Sequence, residues 1–226
     1  MFKNNFSTYF LKIGWILGLA FFGLLLGCQT SVYVTETPSD PIRFKKILVL
    51  PFYDASLMSD NSAHTRCPVC GRALITAEIE PGAAGFLTDK SVELLKRYTD
   101  YQIVRGRSSA ALDPAIQTTV AARQLLADKG REKDTDAVLV GFVYRFKERV
   151  GKAYGVESPA SVAFDMHLIR VADSRTLWSA RFDETQQSLG DNLFRLGSFL
   201  SRGGRWVTAE ELATSGLEQI FEKFPK

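Results

Sequence analysis

Two cysteines three residues apart carry the sharpest chemical pattern in the sequence. They are Cys67 and Cys70, in the run Cys-Pro-Val-Cys-Gly, and the only other cysteine is Cys28. In an oxidising compartment, a pair at this spacing is expected to form a disulfide, Cys67–Cys70. Because the loop that this bond closes is very short, the bond would shape a turn more than it would stabilise the fold.

The same run is also typical of a metal site. It resembles half of a rubredoxin or zinc-ribbon site, in which the glycine lets backbone amides turn toward the thiolate sulfurs. Zinc takes four ligands, and the sequence has no second CxxC motif. His64, three residues before Cys67, is the candidate third ligand for zinc or iron, and an acid, a water or a second chain would supply the fourth.

Thiol–disulfide exchange is a third interpretation of Cys67 and Cys70. A redox CxxC motif usually lies at a helix N-terminus, which lowers the thiol pKa. Here the following residues, 71–76, have the pattern of a strand. Attachment of haem c is excluded, because it needs CxxCH and residue 71 is glycine. Disulfide, metal site and redox pair therefore stay open at this level.

Other polar side chains give weaker indications. His167 alternates with apolar neighbours and is predicted to lie on the polar, surface-exposed face of a strand. Asp165 and Asp183 fall on neighbouring predicted strands and could face each other as an acid–base pair. Solvation at a sheet edge explains them more simply. Trp178 and Trp206, with two nearby phenylalanines, Phe194 and Phe199, are expected in the core or at an interface. No GxSxG, HExxH, P-loop or GxGxxG context occurs in the sequence.

The N-terminus has the features of an export signal. Two lysines and no acid precede an unbroken apolar run over residues 13–26, which is too short to span a bilayer comfortably. The run ends in Leu25-Leu26-Gly27-Cys28, which resembles the lipobox of bacterial lipoproteins. We therefore expect residues 1–27 to be a signal peptide that is removed.

The lipobox resemblance implies a thioether-linked diacylglycerol on Cys28 and an acyl chain, such as palmitate, on its new amine. One acyl chain binds a membrane only marginally, but three long chains make release negligible. In lipoproteins an Asp after the cysteine often means retention at the inner membrane. Gln29 therefore implies, by the same resemblance, attachment to the periplasmic face of the outer membrane.

Composition bounds the mature chain. Without residues 1–27 the chain keeps 199 residues, which suits one domain, and it loses only Lys3 and Lys12 from its 28 basic residues. Against 25 acidic residues, this leaves a net charge of about +1. Charges of both signs are mixed throughout, so we expect no nucleic-acid partner.

The first half of the chain predicts alternating strands and helices. Residues 28–43 are the lipidated N-terminus and a polar tether, and the domain, residues 44–226, begins with a buried strand ending in Leu50-Pro51-Phe52. Residues 54–80 form a long irregular insert with a short strand at 73–78. A helix follows to Tyr98, then a strand at 101–105, and then a helix from Asp113-Pro114 to Lys129 with Gly130 as its left-handed C-cap.

The second half has the period of strands. Residues 136–150, 161–172 and 176–186 alternate, with Phe142, Tyr144 and Phe146 on one face and the basic residues on the other, and they predict an antiparallel meander with one buried face. A short helix is expected at 192–200. Thr208 and Glu211 form a capping box that begins the last helix. The predicted fold class is α/β (α+β): a mixed sheet of about five strands with an antiparallel C-terminal meander and two or three helices packed on it.

This order of elements resembles the TolB amino-terminal domain and its relatives, which include the curli-secretion lipoprotein and the lipoprotein activators of penicillin-binding proteins. The resemblance covers about residues 44–224 and depends on the strand ending in Leu50-Pro51-Phe52, the strand with Gly141 and a hairpin. In that hairpin, Leu168 and Asp173 precede Leu177-Trp178. No functional residue of the family carries over, and the CPVCG insert lies outside its pattern.

The resemblance implies a non-catalytic binding or envelope-assembly module rather than an enzyme. Its expected partners are the membrane, through the lipid anchor, a periplasmic or outer-membrane protein, and other copies of the same chain as a homo-oligomer. The alternative is a metal-binding or thiol-redox protein centred on Cys67 and Cys70. An enzyme using the meander carboxylates is the third possibility, and for it alone Asp165→Asn would abolish function.

Overall fold

The computed structural model describes residues 32–36, 44–58, 64–107, 118–153, 155–186 and 205–225. The strands in these residues are β1 Val32–Glu36, β2 Lys46–Val49, β3 Tyr53–Asp54, β4 His64–Arg66, β5 Ala73–Ile75, β6 Gln102–Arg105, β7 Ala137–Lys147, β8 Val150–Lys152, β9 Gly155–Ser158, β10 Ser161–Arg170 and β11 Thr176–Thr185. The α-helices are α1 Ala83–Tyr98, α2 Thr119–Glu132 and α3 Ala209–Phe221.

A single mixed sheet organises the described residues. Its strand order is β1-β11-β10-β7-β2-β6, and β3 pairs with β7 beside this path. Strands β7, β10 and β11 are antiparallel neighbours, whereas β2 is parallel to both β6 and β7. The predicted fold class is therefore confirmed, including the C-terminal meander and the helices packed on the sheet. A small hairpin, β8–β9, interrupts the link from β7 to β10.

Both faces of the sheet are buried, which differs from the single buried face expected of the meander. One apolar core lies between the sheet and helices α1 and α3, with Leu95 and Leu217 fully buried. A second core lies on the opposite face, beneath helix α2 and the hairpin β4–β5, with Leu126 and Val69 fully buried. Every residue of β10 except the last is consequently buried.

The start of helix α3 is as predicted from the sequence, whereas the end of helix α2 is not. Helix α3 begins with the predicted capping box, in which Glu211 N donates to Thr208 Oγ1 at 3.1 Å and Thr208 N donates to Glu211 Oε2 at 2.9 Å. Helix α2 passes through Gly130, so the prediction that this glycine is a left-handed cap is wrong. Gly130 is instead pressed against the sheet, where an added Cβ would lie 2.7 Å from Val138 Cγ2.

Two strand predictions need correction. Strand β1 lies inside the segment expected to be a tether, and it extends the sheet by pairing antiparallel with β11. Phe146 belongs to the core beneath α1 and α3, whereas Phe142 and Tyr144 belong to the second core. The reason is a β-bulge: Val143 pairs with Phe164 but Arg145 pairs with Ala163, so Tyr144 is an extra residue and reverses the alternation.

Several predicted elements lie outside the described residues. They are the signal peptide at 1–27 with Cys28, the helix start at Asp113-Pro114, and the short helix at 192–200 with Phe194 and Phe199. Within the part of the chain that the structure describes, no helix is both long and apolar enough to cross a membrane.

Candidate metal centre

The CPVCG run forms the tip of a hairpin. Strands β4 and β5 pair antiparallel, and residues 68–70 make the turn between them. Cys67 N donates to Arg72 O at 2.9 Å, and Gly71 N donates to Cys67 O at 2.8 Å. Gly71 has a φ of 73°, a conformation that glycine adopts without the steric cost that a Cβ would bring. The glycine of the run is therefore required by the turn.

Apolar burial holds the hairpin against the sheet, and one hydrogen bond joins it to helix α2. Cys67, Val69 and Leu74 are 1%, 0% and 3% exposed, and all three belong to the second core. Arg123, on helix α2, donates from Nη1 to Val69 O at 3.0 Å. The turn that carries the two cysteines is therefore held between α2 and the sheet.

Strand β10 presents two polar side chains toward this turn. Asp165 and His167 are two residues apart, so they lie on the same face of the strand. Their residues are only 3% and 2% exposed. The prediction of a surface histidine is therefore wrong, and so is edge solvation as the explanation of Asp165. The hairpin covers this face, which the strand pattern alone does not reveal.

Four side chains meet where the hairpin tip contacts β10. One potential ligand atom from each of Cys67, Cys70, Asp165 and His167 lies within 4.8 Å of the other three. Cys67 Sγ is 3.2 Å from His167 Nε2, and Asp165 Oδ2 is 3.3 Å from the same nitrogen. Both cysteines are free in this structure, with Cys67 buried and Cys70 exposed.

Neighbouring residues orient the histidine and the carboxylate. His167 Nδ1 is 2.8 Å from Ser179 Oγ, on the adjacent strand β11, in agreement with the register that pairs these two residues. Tyr144 donates its hydroxyl to Asp165 Oδ2 at 3.0 Å. The second carboxylate oxygen, Asp165 Oδ1, is buried and has no hydrogen-bond partner among the described residues. One carboxylate oxygen therefore lacks a partner, whereas His167 Nε2 contacts both Cys67 Sγ and Asp165 Oδ2.

Burial and mutual contact shift the ionisation of the cluster. Burial raises the pKa of the Cys67 thiol far above its ordinary value, and its hydrogen bond to Cys70 adds to this effect. The same hydrogen bond from Cys67, helped by contact with His167, lowers the pKa of Cys70 to about 4. Burial lowers the pKa of His167, but the charge and hydrogen bond of Asp165, together with Cys70, outweigh it and raise that pKa to about 9.

A pocket of about 230 Å³ opens beside the cluster. Cys70, Asp165 and His167 form part of its wall, and Tyr33 of β1 and Arg181 of β11 line it from the other side. The cluster is consequently reachable from solvent on the side of Cys70, although three of its four residues are buried.

The sequence prediction identifies half of this cluster. Cys67 and Cys70 are in place, but His64 lies on β4 with an exposed side chain and is not among the four residues that converge. Asp165 and His167 were not expected as ligands. The sequence does contain an indication that their face of β10 is covered. Ala163 and Ile169 lie on the same face and are apolar, which is typical of a buried face.

Two other candidate residues from the sequence have structural roles away from the cluster. Asp183 does not face Asp165: it accepts a hydrogen bond from Arg145 Nη2 at 2.7 Å and is also paired with Arg181. Trp178 is fully buried and packs edge-on against Phe224 with ring centroids 4.8 Å apart, as expected of a core residue.

Comparisons with known proteins were made at the level of sequence and of fold. No family model matches the sequence. No curated protein matches it either. The fold is similar to that of the PelC dodecamer from Paraburkholderia phytofirmans, with a TM-score of 0.51 and 14% identity, over 86% of this chain and 98% of that one.

More distant similarity connects the chain with two other solved structures. Lipoprotein GNA1162 from Neisseria meningitidis aligns at a TM-score of 0.35 and 13% identity, over 71% of this chain and 98% of that one. The LpoB C-terminal domain from Escherichia coli aligns at a TM-score of 0.36 and 15% identity, over 67% of this chain and 90% of that one. At these identities the similarity concerns the fold alone, and the chain shares with PelC the arrangement of its sheet and helices.

Proposed function

We propose that this chain is a lipid-anchored protein of the bacterial cell envelope, and that its domain, which includes strand β1 besides the expected residues 44–226, is a non-catalytic binding or assembly module. The observation that carries the proposal is Leu25-Leu26-Gly27-Cys28 at the end of a short apolar run that follows two lysines. A cysteine placed there is lipidated and becomes the first residue of the mature chain. The anchor would hold the domain at the periplasmic face of the outer membrane.

The similarity to PelC supports the second half of the proposal. That protein is a dodecamer, and the alignment covers 98% of its chain. We therefore propose that copies of this chain associate with one another, alone or with a protein partner in the envelope. Tyr33, on the strand β1 that ends the strand order of the sheet, has a side chain that is available for such contacts, since it is 55% exposed.

Metabolic labelling tests the anchor. Cells that express the full-length chain are grown with an alkyne analogue of palmitate, and the chain is then recovered from the membrane fraction. We expect the native chain to be labelled and the Cys28→Ala variant to be unlabelled and retained as the longer precursor. Thr30→Ala, two residues further on, is the matched control and keeps the label. Equal labelling of Cys28→Ala would refute the anchor.

The oligomeric state tests the assembly module. The full-length chain is extracted from membranes in detergent, and its mass is measured by light scattering after gel filtration. We expect a mass several times that of one mature chain, which is smaller than the 25.2 kDa of the uncut chain, after correction for detergent. A monomer at every concentration would contradict self-association and leave a heterologous partner as the only assembly function.

A metal-binding function is the second candidate, and the four-residue cluster favours it. It is preferable to thiol–disulfide exchange for two reasons. Cys67 is 1% exposed, so it cannot be approached by a partner disulfide. The residues after Cys70 enter strand β5 rather than a helix, so the helix N-terminus that usually carries a redox CxxC motif is missing there.

A further inference from the structure

We propose that Cys67, Cys70, Asp165 and His167 bind one zinc ion, and that this ion joins the β4–β5 hairpin to strand β10. The proposal concerns a site that is separate from the lipid anchor. It also differs from the site expected from the sequence, because His167 takes the place of His64 and Asp165 supplies the fourth ligand.

The spacing of the four ligand atoms suits a tetrahedral ion. With zinc about 2.3 Å from sulfur and about 2.0–2.1 Å from nitrogen or oxygen, tetrahedral ligands lie about 3.4–3.8 Å from one another. The observed distances to His167 Nε2 are 3.2 Å from Cys67 Sγ and 3.3 Å from Asp165 Oδ2. All four ligand atoms lie within 4.8 Å of one another, so small side-chain movements would place them around the ion.

Hydrogen bonds alone do not explain why these four side chains lie so close together. His167 Nε2 carries at most one hydrogen, yet it faces both a sulfur and a carboxylate oxygen at hydrogen-bond distance. Asp165 Oδ1 is buried with no partner among the described residues, and such an oxygen is costly to leave unsatisfied. A cation at the centre would bind Nε2 and a carboxylate oxygen of Asp165 at the same time.

The tight turn of the hairpin holds the two cysteines close together. Cys67 N donates to Arg72 O at 2.9 Å, and Gly71 N donates to Cys67 O at 2.8 Å. Gly71, with its φ of 73°, allows the chain to turn there. The two sulfurs consequently lie within 4.8 Å of each other, as two ligands of one ion must.

The residues behind the ligands also have the contacts that a metal site requires. Metal-binding histidines usually engage their second nitrogen in a hydrogen bond that fixes the ring, and His167 Nδ1 does so with Ser179 Oγ at 2.8 Å. Tyr144 likewise fixes the carboxylate of Asp165. The pocket beside Cys70 provides the route by which an ion enters from solvent.

The donor set selects zinc. Two thiolates and one imidazole are soft and borderline ligands, which calcium and magnesium disfavour, and zinc also accepts a carboxylate. Four protein ligands also complete the coordination of zinc, so the site is structural rather than catalytic. Both cysteines bind as thiolates and His167 through a neutral Nε2; any protons that these atoms carry pass to solvent, and no oxidation or reduction takes place.

Two histidines make a sharp comparison possible, because His64 and His167 are the only ones in the sequence. The full-length chain and its variants are extracted from membranes in detergent without chelators, and zinc is measured by elemental analysis and by native mass spectrometry. We expect one zinc ion per native chain, retention of that ion in His64→Ala, and its loss in His167→Ala and in Cys67→Ser. Retention in His167→Ala with loss in His64→Ala would overturn the ligand set.

A measurement on the native chain covers the case in which His167→Ala fails to fold. Zinc K-edge absorption should show two sulfur and two nitrogen or oxygen neighbours, and cobalt substituted for zinc should show the visible bands of a tetrahedral site with thiolate ligands. Four sulfur neighbours would indicate a site shared by two chains and would overturn the proposal. So would a native chain that is free of metal, two hydrogens light in mass and resistant to alkylation, since this result identifies the Cys67–Cys70 disulfide. Neither result bears on the palmitate label, so the anchor is tested separately.

Discussion

Gly141 illustrates how closely the sheet packs against the residues around it. It lies in β7, and an added Cβ would overlap the ring of Phe52, approaching Cδ1 to 2.7 Å. Phe52 is 3% exposed and packs edge-on against Phe164. Because neither ring can move into solvent, we expect Gly141→Ala to lower the free energy of unfolding by about 1–3 kcal/mol, measured by urea denaturation.

Gly85 provides the control for this substitution. It is exposed on helix α1, and an added Cβ would meet no heavy atom within 4 Å. Since alanine is the better helix former by about 1 kcal/mol, Gly85→Ala should stabilise the chain. Equal destabilisation by both substitutions would mean that the Phe52 contact is not the cause.

Asp173 provides a pH-dependent test at the turn between β10 and β11. Its pKa is lower than usual, chiefly because Arg170 donates to both carboxylate oxygens, with Nε at 2.9 Å from Oδ1. A depressed native pKa stabilises the fold above the unfolded-state pKa of about 3.9, and this contribution is lost as the pH falls. We expect Asp173→Asn to cost well under about 1 kcal/mol near neutral pH, since the pair is partly exposed.

The difference between Asp173→Asn and the native chain should shrink as the pH is lowered toward about 3, because the native carboxylate then becomes neutral as well. Urea denaturation at several pH values measures it. A difference that grows on acidification would show that the Arg170 contact does not stabilise the folded chain.

In the candidate site, the sequence predicts the ligands that are close together along the chain but not those that are far apart. Cys67 and Cys70 are close in sequence, and their spacing is itself the signal. His167 lies 100 residues from Cys67, so its contribution depends on how the hairpin is placed on β10. The prediction of an exposed histidine failed because alternation along a strand shows that two faces differ, but not whether something covers the polar one.

At the scale of single elements, helix α3 is well specified by its first turn. Its capping box is present as predicted, with both reciprocal hydrogen bonds between Thr208 and Glu211. Removal of an N-cap hydroxyl typically costs about 1 kcal/mol. We expect this loss for Thr208→Ala, measured as a lower urea midpoint with an unchanged slope.

Gln219→Ala serves as the control for the cap, because it lies in the same helix with an exposed side chain. Its effect should stay within about 0.5 kcal/mol. A Thr208→Ala variant as stable as the native chain would imply that other groups satisfy the first-turn amides.

Elements with strong periodicity are predictable from the sequence, and those that depend on a neighbour are not. Helix α1 ends at Tyr98 as expected, and strands β7, β10 and β11 fall within their predicted ranges. Strand β1 was missed because it is short and lies in an otherwise polar segment, although Val32, Tyr33 and Val34 are strand-forming residues, and its main support is antiparallel pairing with β11. The bulge at Tyr144 was also missed, since one extra residue exchanges the two faces without changing composition.

At the scale of the whole molecule, the proposed zinc ion should act on one part of the fold. We expect a strong chelator to lower the thermal midpoint of the native chain and to increase hydrogen exchange in residues 64–75. Exchange in β7 should remain slow, because its core contacts do not depend on the ion. Exchange measured by mass spectrometry, with and without added zinc, makes the comparison.

His167→Ala is the control for chelation, since this variant is expected to hold no zinc. Its thermal midpoint should then be unaffected by the chelator. Equal sensitivity in the variant and the native chain would mean that the chelator acts elsewhere.

The position of β7 at the centre of the sheet has a consequence for how the chain folds. One edge of β7 bonds to β2, whose Ile47 pairs with Ala137, and the other edge bonds to β10, so both halves of the sheet are completed through it. Pairing across so many residues is slow, typically milliseconds to seconds. Until residue 147 has left the ribosome, β2 and β6 have an open, apolar edge that can aggregate. A chaperone that shields extended apolar segments would therefore act on the N-terminal half before β7 is complete.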